Sequence, residues 1–365
     1  MRRLILKLSA VLASTLFALI LLEAALRGYY HMKGLDINTL KPASALYPGV
    51  EEQRRFFTSH PFLPFAQRTG DRGSIKYYSP ETKRVYDYDY SLNSLGFRTP
   101  ERPFEKPADV KRIVVLGGST TVDGFTDSAT WPARLEARLN ELYAVNGVRV
   151  EVINLGVSGA ASPTSLINLE FVGLEFHPDL VISYDGVNDT MLVGFEGMAP
   201  DYRNAYRNLD DRYRSWQSYL PRWAFRSYLV TRLSYGLDTR GGGSDLLARV
   251  LTTDRLKPSA DILAGMHLFE RNLKLQRTLS NGYGAKYLAA TAHWVAPDRK
   301  VAAMNDELRR LFAREGIDYV DLDALLPHDD WSLHIDKVHW TREGAERVAE
   351  EMQKKIVAGN LLDIR

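Results

Sequence analysis

The chain contains no cysteine, which removes disulfides, thiolate metal sites and a cysteine nucleophile from consideration. It also lacks any excess of charge. Its 47 Lys and Arg stand against 45 Asp and Glu, leaving a net +2, too little for a nucleic-acid surface, so no nucleic-acid partner is expected. Internal repeats are absent, and low-complexity sequence is confined to Gly241-Gly242-Gly243-Ser244. None of these absences identifies a compartment. What the chain does have is length, since 365 residues suffice for a substantial core, and a good supply of aromatics, with 19 tyrosines.

The N-terminus is the strongly apolar part. Arg2, Arg3 and Lys7 precede an uncharged run from Leu8 to Leu22, and residues 4–26 are long enough to cross a bilayer if Lys7 and Glu23 lie near its interfaces. Ala24 and Ala25 make a poor A-x-A cleavage site, which favours an uncleaved signal anchor at 1–26 over a removed signal peptide. The basic amino end then predicts an exported, extracytoplasmic body held at the membrane, or a secreted one if cleavage occurs. Residues 27–56 read as a polar stalk. Residues 57–110 read as a small β-rich entry segment, because Tyr86, Tyr88 and Tyr90 alternate with Val85, Asp87 and Asp89 before a turn at 93–96.

From residue 111 the pattern becomes βαβ. Apolar runs at 113–116, 148–155, 180–184, 286–291 and 318–322 alternate with helical patterns near 131–142, 163–175, 300–314 and 340–356. That alternation predicts a parallel sheet covered on both faces, over a domain of 111–357. Residues 192–284 interrupt the rhythm with interleaved aromatics and arginines, among them Tyr202, Trp216, Trp223, Arg212 and Arg226. They read as an inserted helical cap, either a solvated excursion or a lid that grips sugars or anions.

The chemistry is expected where the strands end. Ser119 follows the first through Gly117-Gly118, Gly156 follows the second, and Asn188 follows the third, so all three share one edge of the sheet, where ligands bind in open α/β folds. Asp336 and His339 precede the last helix and are placed to return to that edge. Taken alone, Ser119 reads first as a helix N-cap. Together these residues supply a hydroxyl to attack, an imidazole to take its proton, a carboxylate to orient the imidazole, and donors for an oxyanion.

The motifs GGST around Ser119, NLG at Gly156, GVND at Asn188 and DKVH ending at His339 occur in the order of the SGNH, or GDSL-like, hydrolase family, which the chain resembles over about 111–190 and 285–357. The resemblance implies an α/β fold, a three-layer α/β/α sandwich with a parallel flavodoxin-like sheet. It implies Ser119 as nucleophile, His339 as base and Asp336 as its orienting acid. The amides of Ser119 and Gly156 and the side chain of Asn188 are then the oxyanion donors. No cofactor and no metal is implied. Gly118 stands where the family often has aspartate before the serine. The anchor and Leu95-Gly96-Phe97-Arg98 look like membrane-attached relatives acting on acylated cell-surface polysaccharides, so an acylated glycan or another ester is the expected substrate.

Other readings remain open at this point. Ser158 in GVSGA is a rival nucleophile, although Ala160 replaces the last glycine of a G-x-S-x-G elbow. His328, Asp329, Asp330, His334, Asp336 and His339 are a possible ligand set, but their spacing is irregular for zinc. His293 reads as a cap or pocket-lining residue. The same triad serves hydrolysis or acyl transfer to a sugar hydroxyl, and a non-catalytic glycan-binding component is the alternative of a different class.

Overall fold

The run at 113–116 is buried on both faces, and its side chains divide between two separate apolar clusters. Val114 and Leu116 join one, Ile113 and Val115 the other. Successive strand residues point to opposite faces, so this strand lies between two layers. In the computed structural model, which describes residues 2–32, 57–58, 60–79, 81–202, 226–230, 232–233 and 257–364, the chain forms two compact units.

The first unit comprises 1–50 and 210–254. Its main element is helix α1, Arg2–Met32, longer than the expected span and running into the region read as stalk. Ser9–Met32 is 24 residues long, which at about 1.5 Å per residue exceeds a hydrocarbon core of about 30 Å, and its most apolar 18-residue stretch has a mean hydropathy of 2.1. Most of its described apolar side chains are exposed, Leu12 and Phe17 among them. Near its end Glu23 accepts hydrogen bonds from Ser227 Oγ and from the Tyr228 and Leu229 amides, and pairs with Arg27 at 2.7 Å.

The second unit comprises 51–209 and 255–365. After a short antiparallel pairing of Phe57–Thr58 with Ala66–Gln67 comes a hairpin, β1 (Arg72–Ser79) and β2 (Arg84–Ser91). Strands β3 (Val110–Gly117), β4 (Arg149–Asn154) and β5 (Leu180–Tyr184) follow, with helices α2 (Trp131–Tyr143) and α3 (Ser162–Asn168) between them. Then come α4 (Met266–Gly282), β6 (Lys286–Ala290), α5 (Arg299–Glu315), β7 (Asp318–Val320) and α6 (Arg342–Ala358). The five-stranded sheet is wholly parallel with spatial order β7-β6-β5-β3-β4, the flavodoxin-like order.

Trp131, Leu135 and Leu139 of α2 and Val348, Ala349 and Met352 of α6 cover one face. Leu169, just beyond α3, together with Phe269 and Leu273 of α4 and Met304 and Leu308 of α5, covers the other. Each such aliphatic side chain contributes about 1.5–3 kcal/mol on full burial, so the layers are held chiefly by these stripes. Side-chain caps place the helix starts: Thr130 accepts from Ala133 N, Asp298 from Val301 N and Thr341 from Gly344 N.

One expectation needs correction. Residues 266–282, assigned from sequence to the inserted cap, form the crossover helix between β5 and β6 and bury Phe269 and Leu273 in the main core. Most of the cap's other residues, 203–225, 231 and 234–256, lie outside the described residues, as do 33–56 of the expected stalk.

Candidate active site

The end of β3 turns at Gly117-Gly118 into a single helical turn, Ser119–Val122, so Ser119 sits at the carboxyl edge of the sheet, half-buried. Its Oγ lies 2.8 Å from His339 Nε2, and His339 Nδ1 lies 2.6 Å from Asp336 Oδ2. The other oxygen of Asp336 accepts the backbone amides of Val338 at 2.9 Å and His339 at 2.8 Å, which fixes the carboxylate before it meets the imidazole. With Nδ1–H donating to Asp336, Nε2 presents its lone pair to the Ser119 hydroxyl. Three sequence-predicted residues from opposite ends of the domain are therefore in one hydrogen-bonded line.

Their loop is tied down independently. Val295 N donates to Lys337 O, Ile335 N to His339 O and Thr341 N to Leu333 O, and α6 begins directly afterwards.

Asn188 follows β5, and its Nδ2 donates to Ala160 O at 2.7 Å, leaving its second N–H available. Gly118 makes this placement possible: a Cβ there would land on Asn188 Nδ2 and 2.9 Å from Ala160 O. The side chain of Asp189 accepts from Ser162 N, Ser162 Oγ and Gly186 N, joining the loop after β4 to the turn after β5. Burial, and repulsion from Asp185, push the Asp189 carboxyl up to about 7.

Gly156 does not fit the role expected of it. It is buried, and its N–H donates to Asn154 Oδ1 at 2.9 Å, so the amide is occupied. Along the same loop Val157 N is bonded to Gly117 O, Ser158 N to Gln67 Oε1 and Ala160 N to Val157 O. Gly159, half-buried with φ +77°, has no acceptor for its N–H among the described residues. The sequence held a signal for this, since GVSGA contains a second glycine that can turn an amide outward. Ser158, the rival nucleophile, has no imidazole partner among the described residues; His339 Nε2 is engaged by Ser119.

A second carboxylate, not anticipated from sequence, reaches the same imidazole. Asp123 Oδ2 is 3.5 Å from His339 Nε2, on the Ser119 side of the ring. Burial pulls the imidazole's pKa down, but the negative charges of Asp123 and Asp336 outweigh it and hold it up at about 9. Burial and the charge of Asp336 raise the Asp123 carboxyl, and His339 opposes that rise.

The histidines expected as alternative ligands are arranged differently. His293 is fully buried rather than pocket-lining, stacked on His328, His334 and Trp340. His293, Asp323 and His328 bring ligand atoms within 4.8 Å of one another. The His293 and His328 rings, however, stack 4.8 Å apart and only 13° from parallel, so an ion in the plane of one lies outside the plane of the other. Asp323 Oδ2 is held by Arg309 at 2.6 Å, while its Oδ1 faces His328 Nε2 at 3.6 Å. Burial lowers His293 to about 3 and His334 to about 4, keeping both neutral.

The family model described as "GDSL-like Lipase/Acylhydrolase family" matches residues 115–347. Solved structures similar to the chain include TesA, at 18% identity and TM-score 0.41, covering 67% of this chain and 98% of that one. Another is the acetyl xylan esterase AlAXEase, at 15% and 0.39, covering 67% and 99%. A third is the lipase/acylhydrolase from Enterococcus faecalis, at 17% and 0.41, covering 68% and 96%. No curated protein matches the chain by sequence.

Proposed function

The chain belongs to the GDSL-like lipase/acylhydrolase family, and from that membership we propose that it is a serine esterase whose nucleophile is Ser119. The observation that carries the reading is the line Ser119 Oγ to His339 Nε2 to Asp336, at 2.8 and 2.6 Å. His339 takes the Ser119 proton as Oγ attacks the ester carbonyl, then gives it to the departing alkoxide, leaving acyl-Ser119. The Ser119 amide, the Gly159 amide and the free N–H of Asn188 meet the negative oxygen of the tetrahedral intermediate. Water then releases the acid.

The substrate we assign is an ester-linked acyl group, in particular O-acetyl, on an envelope glycan. The reading is supported by the basic amino end before a helix of membrane-spanning length, a pattern that favours an anchored body on the exported side. The helix serves as anchor, and no nucleic acid takes part.

The test uses the full chain in detergent with p-nitrophenyl acetate, longer acyl esters and an acetylated polysaccharide, beside Ser119→Ala. Turnover and an acyl-Ser119 adduct seen by mass spectrometry, both lost in the variant, are expected. Undiminished turnover in Ser119→Ala overturns the assignment of the nucleophile. An adduct that forms but discharges only when a sugar is supplied indicates an acyltransferase instead. Absence of both adduct and turnover points to a glycan-binding component.

A further inference from the structure

Asp123 stands one helical turn after the nucleophile, its amide donating to Ser119 O at 2.7 Å. Its side chain is only partly buried, and it accepts no hydrogen bond from any described residue. A carboxylate so placed is over-determined by its surroundings. Arg98 donates to Val122 O at 2.9 Å, to Asp89 O at 2.6 Å and to Asp127 at 2.8 Å, while Asp89 N donates to Phe125 O. Phe125 stacks on Tyr88 of β2 at 5.1 Å. The loop at 122–127 is thus clamped by the hairpin segment, and the same segment reaches the other half of the site through Thr82 Oγ1, which donates to Ile335 O.

The position of Asp123 relative to Nε2 matters for the second half of the reaction. At 3.5 Å the two groups are too far apart for a good direct hydrogen bond, yet one oxygen atom between them can reach both. In the free enzyme Ser119 Oγ occupies Nε2. Once Oγ is esterified it has no proton to donate, and Nε2 is released.

We propose that Asp123 positions the water that hydrolyses acyl-Ser119, accepting one of its O–H groups while the other points at His339 Nε2. The inference rests on the serine-esterase reading and deepens it. As the water oxygen bonds to the acyl carbon, the proton facing Nε2 passes to the imidazole and the proton facing Asp123 stays on the oxygen. The tetrahedral intermediate then collapses, the carbon–Oγ bond breaks, and Oγ takes the proton back from Nε2. The products are the free acid and Ser119. Water has two O–H groups and serves both partners at once. A single alcohol hydroxyl has one, which must go to Nε2, leaving Asp123 facing an oxygen lone pair. The arrangement therefore favours hydrolysis over acyl transfer to an isolated hydroxyl.

Charged and titratable groups around the imidazole are Asp336 and His334 on its own loop, Asp123 after the Ser119 turn, and Glu81 at the hairpin tip. Tyr88 and Arg98 in turn face Asp123. Of these, Asp123 alone lies on the Nε2 side within 4 Å among the described residues.

The experiment is rapid mixing of the full chain with p-nitrophenyl acetate, comparing wild type, Asp123→Asn and Asp123→Glu. Rates are normalised to sites that react with a fluorophosphonate at Ser119, so that misfolded protein is not counted. In Asp123→Asn the first equivalent of nitrophenolate is expected to appear as fast as in wild type or faster. Steady-state turnover falls about 10²-fold. Acyl-Ser119 accumulates, and KM falls with kcat. Asp123→Glu, which keeps the carboxylate, recovers part of the lost rate. Normal turnover in Asp123→Asn, or a parallel loss of burst and steady-state rates, overturns the proposal alone. A wild type that never acylates overturns the esterase reading and this inference with it.

Discussion

The side-chain amide of Asn188 occupies the space that a side chain at residue 118 would need, so Gly118 and Asn188 are a matched pair at the nucleophile. The departure from the family's usual aspartate before the serine is accommodated by this contact. Gly118→Ala is expected to push Asn188 away from the site. The loss is about 10²–10³ in kcat, the magnitude of removing one oxyanion donor. Steady-state kinetics on fluorophosphonate-titrated enzyme check it, and an unchanged kcat would show that the pair is not needed.

Activity should climb with pH. His339 acts as base only when neutral, and the adjoining carboxylates hold its pKa up at about 9. The expected kcat/KM profile therefore rises through neutrality, reaches half its maximum near that value and levels off above it. In Asp123→Asn one of those charges is removed and the rising limb moves to lower pH. A limb in the same place for both proteins would show that Asp123 does not act on the imidazole.

Gly156 and Asn188 should separate in their effects. Asn188→Ala is expected to lower kcat about 10²–10³-fold with the fold retained. Gly156→Ala brings a Cβ to 2.9 Å from Asn154 Oδ1 and 3.1 Å from Thr121, so its cost falls on stability. The comparison needs thermal midpoints beside the rate per labelled Ser119. A large loss of rate at an unchanged midpoint in Gly156→Ala would restore the glycine to the oxyanion site.

Arg112 is fully buried on β3, pairing with Glu151 at 2.9 Å and donating to the carbonyls of Phe104, Phe176 and Glu105. It ties the strand to the segment that enters the domain. Arg112→Met leaves those acceptors buried without a donor, at a cost of about 3 kcal/mol. Urea unfolding measures it. A change within 0.5 kcal/mol or so, the range of ordinary surface substitutions, would mean that the apolar replacement packs as well as the ion pair.

Much of the site was legible because its signals are local. A run of apolar residues, the glycines that end it and a hydroxyl just beyond place Ser119 at a strand end whatever the rest of the chain does. Asp336 and His339 are three residues apart, so their contact at 2.6 Å follows from one turn of loop. The five strand runs and the apolar stripe of α6 are equally local, and a parallel sheet follows from their alternation with helices, whereas its flavodoxin-like order was implied by the family resemblance. Residues 266–282 were misread because an amphipathic helix bordering an irregular stretch has the same period whether it covers a sheet or a lid. Only its packing against β5 and β6 distinguishes the two.

By itself the sequence determined the strand ends, the order of the chemical groups along them and the pairing of Asp336 with His339, since each depends on spacing within a few residues. Tertiary structure decided which loop amide is unpaired among the described residues, Gly159 rather than Gly156, and which second carboxylate meets the imidazole. Those outcomes depend on hydrogen bonds already made and on segments far apart in the chain being brought within 4 Å, which no local pattern encodes.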